Sequence, residues 1–270
     1  MKGLRRHPLR VTGRLLWFGG EVLLAVFDFL LHCAFRPPQT ALAARAAWLQ
    51  RAARRCLRIF KLQPQVAGPV PARGLLIGNH LSYLDILVLA SLTPTVFVSK
   101  RDIKFWPVIG WLAGLAGTLF VDRERRTRVG QTNEEIRKAL DDGALVVLFP
   151  EGTSSDGRTV LPFKSSLLEP ATQHIHPLSI ALIQYQLEAG EVGEEVCYWG
   201  DMTFLPHLLN LLGQRSVQAS VHLAPFQQNI GDRKELARSL QAEILRMKAA
   251  AAGPQKNQVM PIFPVTQFKP

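Results

Sequence analysis

Cysteine is scarce in this chain: Cys33, Cys56 and Cys197 are odd in number and far apart, with no Cys-x-x-Cys and no tight Cys/His cluster. That argues against a disulfide framework or a structural zinc site and fits a reducing compartment such as the cytoplasm. His174 and His176 are two apart and could flank a strand, but a single histidine pair is usually structural, so no metal is expected. There is no P-loop, no G-x-G-x-x-G and no G-x-S-x-G; Gly152, Thr153, Ser154, Ser155, Asp156, Gly157 misses the last spacing by one residue, so a serine-nucleophile hydrolase lacks its usual marker. Acidic residues are nearly missing from residues 1–62, where Glu21 and Asp28 face 12 Lys and Arg. The remainder holds 20 of the 32 basic and 19 of the 21 acidic residues, so almost all of the net charge of +11 belongs to this arm. A basic arm suits nucleic acid or an anionic membrane; no nucleic-acid motif is visible, and the arm's hydrophobicity decides for the membrane.

From Leu15 to Phe35 the arm is apolar over a length of about 32 Å if helical, enough to span a bilayer. Glu21, Asp28 and His32, spaced by seven and four, lie on one stripe of that helix beside Gly20, and Pro37 and Pro38 stop it. A second helical pattern over residues 41–62 puts Leu42, Ala46, Leu49, Ala53, Leu57 and Phe60 on an apolar side, with Arg45, Arg51, Arg54, Arg55 and Arg58 mostly elsewhere. The two predict a helical hairpin. A single crossing normally shows an excess of Lys and Arg on one side, yet Lys2, Arg5, Arg6, Arg10 and Arg14 precede the apolar stretch and seven basic residues follow it by position 62. A hairpin dipping into one leaflet, on the cytoplasmic face of the inner membrane, fits better than a crossing helix. Ala41, Leu42, Ala43 resembles a signal-peptide cleavage site, but the two acids and the length argue against one.

Beyond residue 70, strand-like and helix-like segments alternate. The expected fold class is α/β, a mixed, largely buried sheet flanked by helices, following the N-terminal membrane-associated hairpin. Strands are expected near 75–78, 95–98, 118–121, 144–149, 177–183, 196–199 and 216–224, and helices near 83–92, 106–114, 129–142, 165–173, 203–213 and 232–251. Three segments follow: the hairpin at 1–62, an α/β domain at 63–253 and a Pro-rich tail at 254–270. With 270 residues, 47% of them hydrophobic, the chain can bury one substantial core.

Chemistry concentrates at Asn79, His80, Leu81, Ser82, Tyr83, Leu84, Asp85, directly after the apolar run Leu75, Leu76, Ile77. On a straight helix positions i and i+5 lie about 140° apart, so His80 meets Asp85 only if it precedes the helix. Ser82 as N-cap would put Asp85 at the third helical position, aimed back at the turn that carries His80. Two readings share this pattern: a base with its orienting carboxylate, or a capping box beside an ordinary loop histidine. A second strand-like run, Ala144 to Phe149, ends at Pro150, Glu151, Gly152, Thr153, Ser154, and polar groups leaving the carboxyl ends of strands are where open α/β sheets place their sites.

Together with Gly117, Thr118, Leu119, Phe120, Val121, Asp122, Arg123, these blocks resemble the glycerophospholipid and lysophospholipid acyltransferase family, whose signature is N-H-x-x-x-x-D, then G-x-x-F-x-x-R, then F-P-E-G-T. His176, Pro177, Leu178, Ser179 loosely resemble its fourth block, and the resemblance covers about residues 70–185. Trp199, Gly200, Asp201, Met202 with Pro206 and His207, and the run Phe163, Lys164, Ser165, Ser166, look like the bacterial branch that includes lyso-ornithine-lipid acyltransferases.

The resemblance implies direct passage of a fatty acyl group from a thioester, acyl-CoA or acyl-ACP, to the hydroxyl of a lyso-lipid, with no cofactor and with membrane lipids as partners. An alcohol is a weak nucleophile until a base takes its proton, and histidine, ordinarily of pKa about 6.5, is mostly neutral at pH 7. His80 is the expected base and Asp85 the group that holds its tautomer. Arg123 offers a planar fork for a headgroup, or a salt bridge to Asp122, Glu124 or Glu151. Glu151 is expected to orient Arg123 or an acceptor hydroxyl, Gly152 to let the backbone approach and Thr153 to donate a hydrogen bond. Asn79, Lys100, Arg158 and Lys164 are possible substrate or donor contacts, Asn79 alternatively fixing the turn. Lys100, Arg101 and Lys104 suit an anionic donor, or form a solvated face. The expected acceptor is 1-acyl-glycerol 3-phosphate. Ser154 stands where family members often carry a basic residue, which weakens that choice and keeps lyso-ornithine lipid open. A non-catalytic membrane-binding protein and a lipid thioesterase are the readings of other classes.

Overall fold

The computed structural model describes residues 7–121, 126–173, 176–227 and 232–251. Helices α1 (Pro8–His32) and α2 (Pro38–Ile59) each carry proline in the first turn, where a missing N–H costs nothing. They form the expected hairpin, Trp48 Nε1–H donating to the Ala25 carbonyl at 2.7 Å and the Phe29 and Trp48 rings meeting edge to face. The polar stripe of α1 is consumed inside it. Asp28 takes a two-point contact from Arg51 at 2.9 and 3.1 Å, Glu21 accepts from Arg55 at 3.1 Å, and His32 lies 2.8 Å from Asp28. Leu9, Leu16, Leu23, Phe27, Leu31 and Phe35 face outward instead, and α1 is long and apolar enough to cross a membrane.

The sheet holds β1 (Pro64–Ala67), β2 (Gly74–Gly78), β3 (Val96–Lys100), β4 (Leu119–Val121), β5 (Leu145–Leu148), β6 (Leu178–Gln186) and β7 (Gln218–Pro225), in the order β1-β7-β6-β2-β5-β3-β4. Every neighbouring pair is parallel except β6 and β7, so the sheet is mixed, as expected. Between and after the strands come α3 (Leu84–Leu92), α4 (Ile109–Leu115), α5 (Arg126–Asp141), α6 (Val192–Glu195), α7 (Phe204–Leu212) and α8 (Arg233–Ala251).

One strand is unexpected, and two expectations fail. The edge strand β1 has no strand-like pattern in Pro-Gln-Val-Ala and forms by pairing with β7. The expected strand at 196–199 is irregular: Val196 and Cys197 are buried and apolar, but their N–H groups close back on the Val192 carbonyl at 2.9 Å each and that of Tyr198 crosses to Leu81 at 2.8 Å. The expected helix at 165–173 is two 3-10 turns, Ser165–Leu167 and Glu169–Gln173, and Pro170, second in the later turn, has no N–H to continue an α-helix. The tail at 254–270 lies outside the described residues.

Alternation along the central strands builds two cores, one on each face of the sheet. Leu76 of β2, Leu145 and Val147 of β5, and Ala181, Ile183 and Tyr185 of β6 pack with α3, α7 and the hairpin residues Val11, Ala53, Leu57 and Phe60. Leu75, Ile77, Val146, Leu148, Ile180 and Leu182 face the other way, against Ile136 and Leu140 of α5 and Leu240 and Ile244 of α8. The change of structure at residue 62 is therefore no break in packing. Arg14 fastens the hairpin further: its guanidinium donates to the carbonyls of Leu212 and Arg215, each at 3.0 Å, and of Gln214, at the open C-terminal end of α7. Arg10 reaches the Gly213 carbonyl at 2.9 Å and Arg54 that of Ser91 at 2.8 Å. Much of the arm's positive charge is thus spent inside the protein, fewer cations facing outward than the sequence suggests.

Candidate active site

His80 leaves the carboxyl end of β2 and Asp85 opens α3, as the spacing requires. The His80 Nδ1–H donates to Asp85 Oδ2 at 2.8 Å; a carboxylate only accepts, so in the neutral imidazole Nε2 is the nitrogen left without a proton. Asp85 is completely buried and its oxygens take three further bonds: the N–H groups of Leu81 at 2.6 Å and Ser82 at 3.0 Å on Oδ2, and the Tyr185 hydroxyl at 2.7 Å on Oδ1. The capping is the reverse of the expected one. Asp85 serves the turn's amides, while the buried Ser82 hydroxyl has no partner among the described residues and the helix N-cap is Tyr83. The imidazole lies flat on Phe149, centroids 4.3 Å apart and planes at 12°. Glycine at 78 permits this, since a Cβ there would lie 3.3 Å from the Phe149 ring.

The Phe149 turn follows β5, which pairs with β2 through Ile77 and Leu148, so the two strand ends meet as expected. Glu151 is turned into the protein. It is 2% exposed, with one oxygen accepting the His80 N–H at 2.7 Å and the other the Leu161 N–H at 2.8 Å, so it ties the two turns together. Burial pushes its carboxyl up to about 7, against the pull of those two bonds. Gly152 closes the turn at φ 73°, a conformation that suits glycine, and Thr153 beside it is exposed. Asn79 is likewise spent on structure: its amide donates to the Ile183 carbonyl at 3.0 Å and accepts the Ile183 N–H at 2.7 Å, extending the β2–β6 pairing by one step. Both polar atoms of its side chain are thereby engaged by the β6 backbone.

A cavity of about 390 Å³ opens between this edge and the hairpin. His80, Phe149, Gly152, Thr153, Ser154 and Lys100 line it on the sheet side, Phe18, Glu21, Val22 and Trp48 on the hairpin side, and Ile103, Trp106 and Leu112 between them. Its wall is largely apolar. Arg158 and Lys164 stand outside it; Arg158 is exposed and paired with Asp156 at 3.3 Å, and Lys164 is exposed with its N–H on the Pro150 carbonyl. Arg123 lies outside the described residues, as do Asp122 and Glu124. Sequence reasoning missed Tyr185, the fourth donor on Asp85, and the Tyr83 hydroxyl, which donates to His207 Nδ1 at 3.0 Å while His207 Nε2–H donates to the Cys197 carbonyl at 2.9 Å. No metal-binding cluster occurs among the described residues.

Known proteins share the sequence pattern and the fold. The Acyltransferase family model matches residues 63–183. A lyso-ornithine lipid O-acyltransferase of Rhizobium meliloti (strain 1021) is 36% identical over 255 residues, covering 88% of this chain and 84% of that protein. The chain belongs to the lysophospholipid acyltransferase family. It is an acyltransferase of lipid biosynthesis. A 1-acyl-sn-glycerol-3-phosphate acyltransferase of Neisseria gonorrhoeae is 33% identical over 147 residues, 50% of this chain and 58% of that protein. The crystal structure of the 1-acyl-sn-glycerophosphate acyltransferase PlsC from Thermotoga maritima shares the fold at a TM-score of 0.58 and 18% identity, covering 92% of this chain and 98% of that one.

Proposed function

We propose that this acyltransferase moves a fatty acyl group from an acyl thioester, on coenzyme A or acyl carrier protein, to the free hydroxyl of a lyso-lipid, with His80 as general base. The observation that carries this is the 2.8 Å bond from His80 Nδ1 to a buried Asp85, which reserves Nε2 for the cavity. Nε2 takes the hydroxyl proton as the oxygen attacks the thioester carbonyl. The C–S bond then breaks, the acyl oxygen ester remains on the lipid, and the imidazolium returns its proton to the leaving thiolate. Asp85 stabilises the imidazolium in between. No protein nucleophile and no cofactor is needed. Gly152 and Thr153, at the cavity wall, are the contacts assigned to the acceptor.

Two observations favour lyso-ornithine lipid as the acceptor. Relatives of that name align over most of their length, and Ser154, in place of a basic residue, gives its hydroxyl to the Tyr198 carbonyl. The second reading, 1-acyl-glycerol 3-phosphate, rests on the Neisseria relative and on Arg123 in its G-x-x-F-x-x-R block. A buried lipid must reach His80, so the hairpin is assigned to one leaflet of the cytoplasmic face, inserted by Leu16, Leu23 and Phe27 with the cavity mouth against the lipid. Thin-layer separation of products across lyso-lipids and both thioesters tests the reading. An O-acylated lyso-ornithine lipid is the expected product; free fatty acid alone would make the chain a thioesterase.

A further inference from the structure

One wall of the cavity has no part in the reaction above. Trp106, Tyr198, Tyr83 and Phe204 form a closed ring of four aromatic side chains: centroids are 6.2 Å apart for Trp106–Tyr198, 5.7 Å for Tyr198–Tyr83, 5.3 Å for Tyr83–Phe204 and 5.7 Å for Phe204–Trp106, at interplanar angles of 57° to 89°. All four are half-buried and line the same cavity as His80.

The ring is built against the catalytic turns. The Tyr198 N–H donates to the Leu81 carbonyl at 2.8 Å, and the Ser154 hydroxyl donates to the Tyr198 carbonyl. Tyr83 is held through His207, whose Nε2–H is fixed on a carbonyl and whose Nδ1 accepts the phenol, so the imidazole in this arrangement is neutral and burial lowers its pKa further. Burial also pushes the Tyr83 phenol far above its ordinary range, so it stays uncharged. Neither member of the pair adds a charge to the aromatic wall. Among the described lining residues the only formal side-chain charges are Lys100 and Glu21, and Glu21 is engaged by Arg55.

A fatty chain is already served by aliphatic lining such as Val22, Leu49 and Leu87. Four aromatic rings at steep mutual angles offer something a fatty chain does not use, negative π-faces that attract a cation. We propose that this aromatic ring binds the ammonium of an ornithine headgroup and selects such an acceptor over a phosphate monoester. The proposal rests on the lyso-ornithine reading of the acceptor. Ornithine with one amine acylated retains an ammonium and a carboxylate, and a zwitterion suits a wall with so little net charge.

The test uses full-length protein in mixed micelles and two acceptors, lyso-ornithine lipid and the same lipid with its free amine acetylated. Acetylation should raise the wild-type KM about three- to thirtyfold with little change in kcat, the range of a partly desolvated cation–π contact. Trp106→Leu and Tyr198→Leu should raise KM by a similar factor for the free amine and add little for the acetylated lipid. Tyr198→Phe should restore the wild-type preference. Equal wild-type KM values for the two lipids would overturn the proposal, and that comparison needs no variant to fold. So would a Trp106→Leu protein that loses both acceptors equally. A wild-type enzyme that acylates 1-acyl-glycerol 3-phosphate and neither ornithine lipid would refute the acceptor reading itself, and the ammonium site with it.

Discussion

Tyr185→Phe removes one oxygen and nothing else, at a residue 100 positions away in sequence from the carboxylate it serves. Asp85 Oδ1 then loses its 2.7 Å donor at a site with no solvent exposure, and the isosteric ring leaves no room for water to replace it. A hydrogen bond to a charged group contributes about 1.5–3 kcal/mol, so stability should fall by about that amount. Asp85 keeps the amides of Leu81 and Ser82 and the His80 imidazole, so the base stays close to its place and kcat should fall only about three- to thirtyfold. Urea unfolding in detergent, followed by tryptophan fluorescence, reads the first effect and initial rates the second. Combination with Asp85→Asn should cost less than the sum of the two single changes, because both act through one network. A stability loss under about 0.5 kcal/mol, or strict additivity with Asp85→Asn, would refute the reasoning.

Glu151 makes a prediction about pH. Its carboxyl is raised from the ordinary 4.5 to about 7 by burial, so between those values the folded protein keeps a proton that the unfolded chain has released. Stability from this group is therefore fully present below about 4.5 and is lost as pH rises through about 7, a loss of at most about 3 kcal/mol. Glu151→Gln should remove that contribution, so urea midpoints measured from pH 4.5 to 7.5 should diverge between variant and wild type; parallel curves would contradict it. Membrane attachment should survive 1 M salt and yield only to detergent, because in the proposed placement the outward Leu16, Leu23 and Phe27 insert while Arg14, Arg51 and Arg55 are bound internally. Release into the salt wash would show that exposed charge alone holds the protein.

The His80–Asp85 contact was legible because five-residue spacing across a strand-to-helix turn leaves few geometries, and the approach of the second strand end followed from the rule for parallel strands. The direction of Glu151 was not legible: a glutamate in a turn reads the same whether it faces substrate or two backbone amides. Tyr185 left no local signal, since its place beside Asp85 comes from the β2–β6 pairing of Ile77 with Ile180 and of Gly78 with Ala181. In the hairpin, spacings of seven and four revealed the stripe of Glu21, Asp28 and His32, but not that Arg51 and Arg55 of the partner helix would neutralise it. Helix 165–173 failed on Pro170, and the strand at 196–199 failed because burial alone mimics one.

The most direct measurement is acyl transfer by purified His80→Ala protein that melts like the wild type. With lyso-ornithine lipid and an acyl thioester, turnover should fall by about a hundredfold to ten-thousandfold, the contribution of one positioned base. A folded His80→Ala enzyme that retains more than about half of wild-type turnover would contradict the assignment of His80 as the base.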